Sequence, residues 1–265
     1  MKQVQGEVFY DHELSIEAYW LKGNVQKFPQ HFHEYYVAGY IESGRRQVSC
    51  RGALIQAQAG DVVLFNPMES HSCQAVDGQA LDYRAINIPA EVLAAALPER
   101  RPVRLGQIIV QDDALADAIL RLHQMIVEEE APPLRQQAFV ELAALLRPYA
   151  GRLGEQAADE RLDAVRAYVD EHYQEHLTLE QMAALCGLNK YTLSRAFVRA
   201  YGITPYRYLE TVRINAAKKL LEAGLEPVGA AMETGFSDQS HFNRFFRQLI
   251  GLTPGQYKRL FAEKS

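Results

Sequence analysis

The sequence predicts an α+β protein of two unlike halves, a small β-barrel with flanking helices followed by an all-α unit. Three observations carry this expectation. The first ninety or so residues form short strand-like runs, punctuated by Gly44, Gly52, Gly60 and Asn66-Pro67. From about Asp159 onward the apolar residues recur at helical spacing. Within that rear half, one stretch of sequence returns 49 residues downstream. At 265 residues, 48% of them hydrophobic, the chain has material for two ordinary domains with real cores.

In chain order, Val37, Gly39 and Ile41 follow an aromatic run, and residues 61–65 (Asp-Val-Val-Leu-Phe) read as a further strand. Residues 83–88 give one more, after which Pro89 opens a helical stretch through Leu97. Many short strands divided by Gly and Pro point to a barrel or sandwich. Two amphipathic helices follow, one carrying Leu115, Ile119, Leu122 and Ile126, the other Phe139, Leu142, Leu145 and Leu146 after Pro132-Pro133. They have two possible partners, the barrel itself or a second copy of the chain, and the expectation is self-association. Residues 151–156 are the candidate linker, so the domains are expected at 1–150 and 159–265.

The rear half opens with an apolar stripe of Leu162, Val165, Tyr168 and Val169. Thr178 with Gln181 makes a capping box, Gly187 ends that helix, and Asn189 caps the next. Two helices across so short a turn are helix-turn-helix grammar. The repeat then doubles it. Residues 186–197 find their partner in 235–246, and each copy reaches a glycine seven residues past its arginine, Gly202 or Gly251. Thr204-Pro205 and Thr253-Pro254 come next, then Tyr208 and Tyr257, both read as packing residues.

Leu193 and Phe197, like Phe242 and Phe246, are expected in the core, leaving the intervening positions to project outward. Arg pairs with guanine and Asn with adenine in the major groove. Thr204-Pro205 starts a long helix through Leu209, Val212, Ala216, Leu220 and Leu221. That helix would hold the two units about one DNA turn, roughly 34 Å, apart. Residues 227–231 (Pro-Val-Gly-Ala-Ala) put a glycine in the second unit's first helix, which is expected to be soft or to start late.

The formal charge of −5 averages two unlike halves. Up to residue 157 there are 14 basic and 20 acidic residues; beyond it there are 14 and 13. From Leu185 to Lys219, seven basic residues face one acid, Glu210, and a local positive field suits a phosphate lattice. Cys50, Cys73 and Cys186 form no CxxC pair and are an odd number, so a reducing cytoplasm is expected and a disulfide scaffold is not. Cys50 and Cys73 read as buried filler rather than redox sensors. The start of the chain lacks the apolar run of a secretory signal, and no run approaches a membrane span.

Residues 235–242 (Gly-Phe-Ser-Asp-Gln-Ser-His-Phe), with Gly251-Leu252-Thr253-Pro254 and Tyr257, resemble the AraC/XylS family of bacterial regulators. The resemblance covers about residues 159–265 and implies two recognition helices in successive major grooves. It places Lys190, Tyr191, Ser194 and Arg195 of the first helix, and Gln239, Ser240, Asn243 and Arg244 of the second, at DNA. Their alternative is engagement within the protein, as ion pairs for the two arginines. His241 is expected to be structural or to touch phosphate.

The front half resembles the cupin-like sensing barrel that many such regulators carry. His31 and His33 lie two apart, and His71 follows residues 60–67 (Gly-Asp-Val-Val-Leu-Phe-Asn-Pro). Three imidazoles sharing a barrel mouth would suit a transition metal. Metal cupins, however, place a carboxylate three or four residues past the HxH pair, where this chain has Val37 and Ala38 and an adjacent Glu34. The expectation is therefore no cofactor, with His31, His33, Tyr35, Arg46, His71 and Tyr83 around an organic ligand and Tyr36 a further candidate. Purely structural histidines remain the other reading.

The function expected is a DNA-binding transcription regulator, a ligand-responsive activator and homodimer working with promoter DNA, a small effector and RNA polymerase, with no membrane role. Two rivals stay open, a metal-dependent cupin enzyme fused to a DNA-binding module and a ligand-independent regulator.

Overall fold

The computed structural model describes residues 5–151 and 159–262. The front half runs β1 (Gln5–Asp11), β2 (Ile16–Asn24), β3 (Phe28–His31), β4 (Tyr35–Ser43), β5 (Arg45–Cys50), β6 (Ala53–Gln58), β7 (Val62–Phe65), β8 (His71–Ala75) and β9 (Leu81–Pro89). Next come α1 (Ala90–Ala96), β10 (Arg104–Leu105), β11 (Ile109–Val110), α2 (Asp113–Val127), α3 (Pro132–Leu146) and β12 (Ala150–Gly151). The rear half holds α4 (Glu160–His172), α5 (Leu179–Leu185), α6 (Lys190–Tyr201), α7 (Pro205–Glu222), α8 (Pro227–Glu233), α9 (Gln239–Ile250) and α10 (Pro254–Arg259). The expected linker, from residue 152 on, lies outside the described residues.

Two antiparallel sheets face each other as a flattened barrel, one ordered β1-β2-β9-β4-β7-β11 and the other β3-β8-β5-β6. Side chains alternate along a strand, and the six-stranded sheet uses both faces. Tyr36 and Ala38, Val62 and Leu64, and Ile86 and Ile88 point outward to helices α1–α3. Val37 and Ile41, Val63 and Phe65, and Leu81 and Ala85 point inward to the second sheet. Burial on both sides is why β4 and β7 are nearly unbroken apolar runs, as in sheets covered by helices.

The stripes of the two amphipathic helices pack on the barrel, which corrects the expectation that they are spent on a second copy of the chain. Leu115, Ile119, Leu122 and Ile126 interleave with Phe139, Leu142 and Leu146 in one core with the outward sheet face. Asp112 caps α2 by accepting from the Leu115 N–H, and Pro132 opens α3.

In the rear half, α6 and α9 are both twelve residues long. Each ends at a left-handed glycine, Gly202 (φ 70°) or Gly251 (φ 80°), a backbone state that favours glycine. Leu193 and Phe197, with Phe242 and Phe246, are fully buried. Thr178–Gln181 forms its capping box, and Asn189 accepts from the backbone N–H groups of Tyr191 and Thr192. Helix α8 corrects the expectation of a late start: it begins at Pro227, whose missing N–H is no loss at a first helical position.

Helix α7 departs from its expected stripe. Leu209 and Leu221 are buried, but Val212, Ala216 and Leu220 are only half covered, while Glu210, Arg213, Asn215 and Lys218 are buried. The cause is enclosure on several sides, since α7 touches α5, α6, α8, α10 and the barrel strand β3.

His123 on α2 is buried with its ring edge-on to Trp20. Burial, helped by Arg84, pushes its pKa down to about 4 from an ordinary 6.5. The unfolded chain thus binds a proton that the folded one resists, so stability falls as pH drops from about 6.5 toward 4. His123→Phe is expected to shrink the loss between pH 7 and pH 5 by about 2 kcal/mol. Urea unfolding at the two pH values checks this, and an equal loss in both proteins would assign the effect elsewhere.

Candidate ligand cavity and nucleic-acid interface

Between the two sheets lies a cavity of about 110 Å³, against the roughly 10–15 Å³ that one water needs. His31, His33, Tyr35, Arg46, His71 and Tyr83 all line it. Tyr36 does not: the β4 alternation turns it outward, where its hydroxyl donates to the Val103 carbonyl at 2.5 Å. Room for Tyr83 comes from Gly39, where a Cβ would fall within 2.5 Å of the Tyr83 ring. Sequence reasoning missed Tyr19, Glu17 and Asn87, which also border the cavity. Strand alternation on β2 and β9 was the available signal.

The histidines meet although strand β3 ends at His31. His33 lies in the connection to β4, and Phe32 between them turns the other way into the helical core. The three rings sit 4.6–5.1 Å apart, centre to centre. His31 Nδ1 is 2.7 Å from the Pro29 carbonyl and His71 Nδ1 2.8 Å from that of Glu69. A carbonyl only accepts, so both Nδ1 atoms carry the proton and both Nε2 atoms keep a lone pair. His71 also stacks on Phe65 at 3.8 Å. Burial holds His31 down at about 3 and His71 at about 4, and His33 well below the usual range, so all three are neutral at neutral pH.

One ligand atom from each ring lies within 4.8 Å of the others. Such a donor set fits a transition metal, with backbone carbonyls orienting two of the rings from behind. Glu34 adds nothing to it, because its carboxylate is 2.5 Å from Lys219 Nζ. Cys50 and Cys73 are free thiols, raised by burial to about 12 and about 11, so neither is a ready thiolate.

The cavity is not closed by the barrel alone. Leu249 and Ile250 at the end of α9, and Tyr257 on α10, complete its wall. Tyr19 donates to the Ile250 carbonyl at 3.0 Å, and Gln26 to that of Gln248 at 2.9 Å. Gly251 is needed twice here, for its positive φ and because a Cβ would meet the Tyr19 hydroxyl at 2.4 Å. Beside this seam, Glu17 of β2 is buried 3.3 Å from Lys218 of α7. Its carboxylate also accepts from Asn87 at 3.0 Å and lies 2.7 Å from the Tyr257 hydroxyl. Burial alone would raise the Glu17 pKa, but Lys218 and these bonds outweigh it, and the carboxyl is held below its ordinary value. Tyr257 is thus the packing residue expected and also a polar tie between the halves.

The two helix-turn-helix units present part of their second helices to solvent. Tyr191, Arg195, Gln239, Ser240 and Arg244 are exposed, and Lys190, Ser194 and Asn243 half-exposed. Arg195 and Arg244 make no ion pair among the described residues. The positive field read from the sequence is smaller than it looked. Lys190 pairs with Glu180, Arg207 with Glu210, Lys218 with Glu17 and Lys219 with Glu34. Arg213 is buried and donates to the carbonyls of Tyr173 and Glu175. Of the seven cations, Arg195 and Arg199 stay unpaired among the described residues, and exposed Arg247 joins them from α9. His241 sits 3.3 Å from Glu210, tying α9 to α7.

A barrel with an internal cavity, joined to paired helix-turn-helix units, defines a transcription regulator with a ligand-binding domain. Residues 13–149 match the family model described as an AraC-like ligand binding domain, and residues 182–260 match a helix-turn-helix domain. The chain is 41% identical over 240 residues, 87% of each chain, to an uncharacterized HTH-type transcriptional regulator, YbfI of Bacillus subtilis (strain 168). It is 27% identical, over 86% of each chain, to the HTH-type transcriptional activator RhaS of Klebsiella pneumoniae (strain 342). Its fold resembles that of ToxT from Vibrio cholerae strain SCE256, solved with an unsaturated fatty acid bound. There the TM-score is 0.56 at 13% identity, covering 99% of this chain and 98% of that one. The chain belongs to the AraC family of helix-turn-helix transcription regulators. No described helix is long and apolar enough to cross a membrane.

Removing one member of the seam pair leaves the other buried and unpaired. Lys218→Met is expected to cost about 3–5 kcal/mol in urea unfolding, with Glu17→Gln on top recovering most of it. A single-variant loss below about 1 kcal/mol would mean that the seam opens and hydrates Glu17.

Proposed function

We propose that this chain is an effector-responsive activator of transcription, working in the cytoplasm as a homodimer that meets promoter DNA and RNA polymerase. Residues 1–150 sense and dimerise; residues 159–265 read DNA. One observation carries the effector reading: the barrel cavity takes part of its wall from Leu249, Ile250 and Tyr257 of the second DNA-binding unit. A molecule in that space touches both halves and has differential affinity for their arrangements, which is what shifts an equilibrium. RhaS, an activator by name, supports the sign of regulation.

At DNA, Lys190, Tyr191, Ser194 and Arg195 serve the first groove and Gln239, Ser240, Asn243 and Arg244 the second. Catalysis is no part of this reading. The cavity's imidazoles stay neutral and Tyr35 is raised to about 12 by burial, so these groups are not poised to exchange protons at neutral pH.

Binding to the chain's own upstream DNA, against scrambled DNA over a salt series, tests the proposal. Arg195→Ala and Arg244→Ala are each expected to weaken the specific complex by about 1–3 kcal/mol. Unchanged affinity in both would remove these arginines from the interface.

The convergence of His31, His33 and His71 favours a second reading, a metal centre with an open position toward the cavity. Metal would supply a Lewis acid there, held by His31 and His71 through Nε2 and by one ring nitrogen of His33. Elemental analysis of protein purified without chelator decides between the two. We expect far less than one transition metal per chain; a stoichiometric metal lost in His71→Ala would establish the centre.

A further inference from the structure

We propose that the molecule bound in the cavity is a small monocarboxylate with an apolar body, its carboxylate held by Arg46. The inference rests on the reading of the barrel as the ligand-binding unit and names the ligand's chemical class.

Charge around the cavity is matched everywhere but at one residue. Arg46 lies on β5 with 1% of its surface exposed and lines the cavity. Its terminal nitrogens donate to the backbone carbonyls of Asn24, Gln79 and Arg45, and its Nε has no hydrogen-bond partner among the described residues. No carboxylate pairs with it among the described residues. Burial of the guanidinium accordingly depresses its pKa, the mark of a cation lacking a counter-charge.

The other charges at the cavity are already matched. Glu17 has Lys218 at 3.3 Å, and His31 and His71 each turn Nδ1 to a backbone carbonyl and keep a lone pair on Nε2 toward the others. One unmatched positive charge remains, so a monoanion balances the site, whereas a dianion would leave a buried negative charge over. A buried charge without a partner is strongly unfavourable, which makes the anion's pairing a source of affinity and of selectivity.

The walls decide the rest of the molecule. Val37, Ile41, Val48, Val63, Phe65 and Leu81 face the space from both sheets. A hydroxyl set against these apolar side chains would be buried without a partner, at a cost. In register, Arg46 stands opposite Ala75 and Cys50 opposite His71. Four residues of strand, about 13 Å, therefore separate the Arg46 level from the histidines. That length accommodates an apolar body extending from a carboxylate at Arg46 toward the imidazole lone pairs.

The test uses the full chain in buffer with EDTA, so that a carboxylate captured by metal on the histidines does not count. Octanoate and 3-phenylpropionate are titrated calorimetrically beside their primary amides, which keep the shape and lose the charge. At least one acid is expected to bind tenfold or more tighter than its amide. Arg46→Met should abolish that preference and Arg46→Lys should retain part of it. The acid–amide comparison in the unmodified chain decides even if Arg46→Met does not fold. Amides binding as well as acids would overturn the Arg46 assignment while leaving the cavity a ligand site. If neither acids nor amides bind, the monocarboxylate proposal falls, while the ligand-binding reading stands on the family match and the cavity.

Discussion

The buried contact between Glu17 and Lys218 governs how the two halves of this protein are arranged. A carboxylate on a barrel strand and an ammonium on the long helix α7 have each given up water, and each is tolerable only beside the other. Asn87 donates to the carboxylate's other oxygen, and the Tyr257 hydroxyl lies between that carboxylate and Glu222. Such a pair yields little net stability, because separating the halves would return both charges to water. It yields registry instead: a displacement that leaves the charges buried but apart is heavily penalised. Partial displacement of the halves is therefore penalised more heavily than the docked arrangement.

The cavity inherits its location from this seam. Helix α9 ends against β3 and β2, and its terminal carbonyl at Ile250 accepts from Tyr19 on the cavity wall. The same helix begins, at Gln239, on the exposed face with the positions proposed to contact DNA. Twelve residues of rigid helix, about 18 Å, therefore connect the cavity wall to the exposed residues proposed to read DNA. No relay of small side-chain movements is required, since tilting one end of a short rod tilts the other.

Much of this was legible in the sequence. The repeat of Gly202 and Gly251, with Thr-Pro after each, located both helix-turn-helix units because those residues are demanded by local backbone geometry. The six proposed cavity residues came from the resemblance to a cupin-like barrel together with residue type, and the strands near them from Gly and Pro. What escaped was long-range. Nothing near Lys218 in sequence marks it as the partner of Glu17, two hundred residues earlier, so it was counted into a DNA-facing field. Tyr36 was grouped with Tyr35 because both are aromatic, and only alternation separates them. Helix α7 looked amphipathic in isolation, whereas its polar residues are buried by neighbours on several sides.

The two-faced sheet has a consequence for how such a protein changes over generations. On β4, one parity of positions shapes the chamber and the other anchors the helical layer. Substitutions at Val37 or Ile41 can therefore reshape what is sensed while Tyr36 and Ala38 keep the scaffold intact. Input chemistry and structural integrity are written on interleaved but separable letters of the same strand. A lineage can drift from one metabolite to another one residue at a time, carrying an unchanged promoter reader with it.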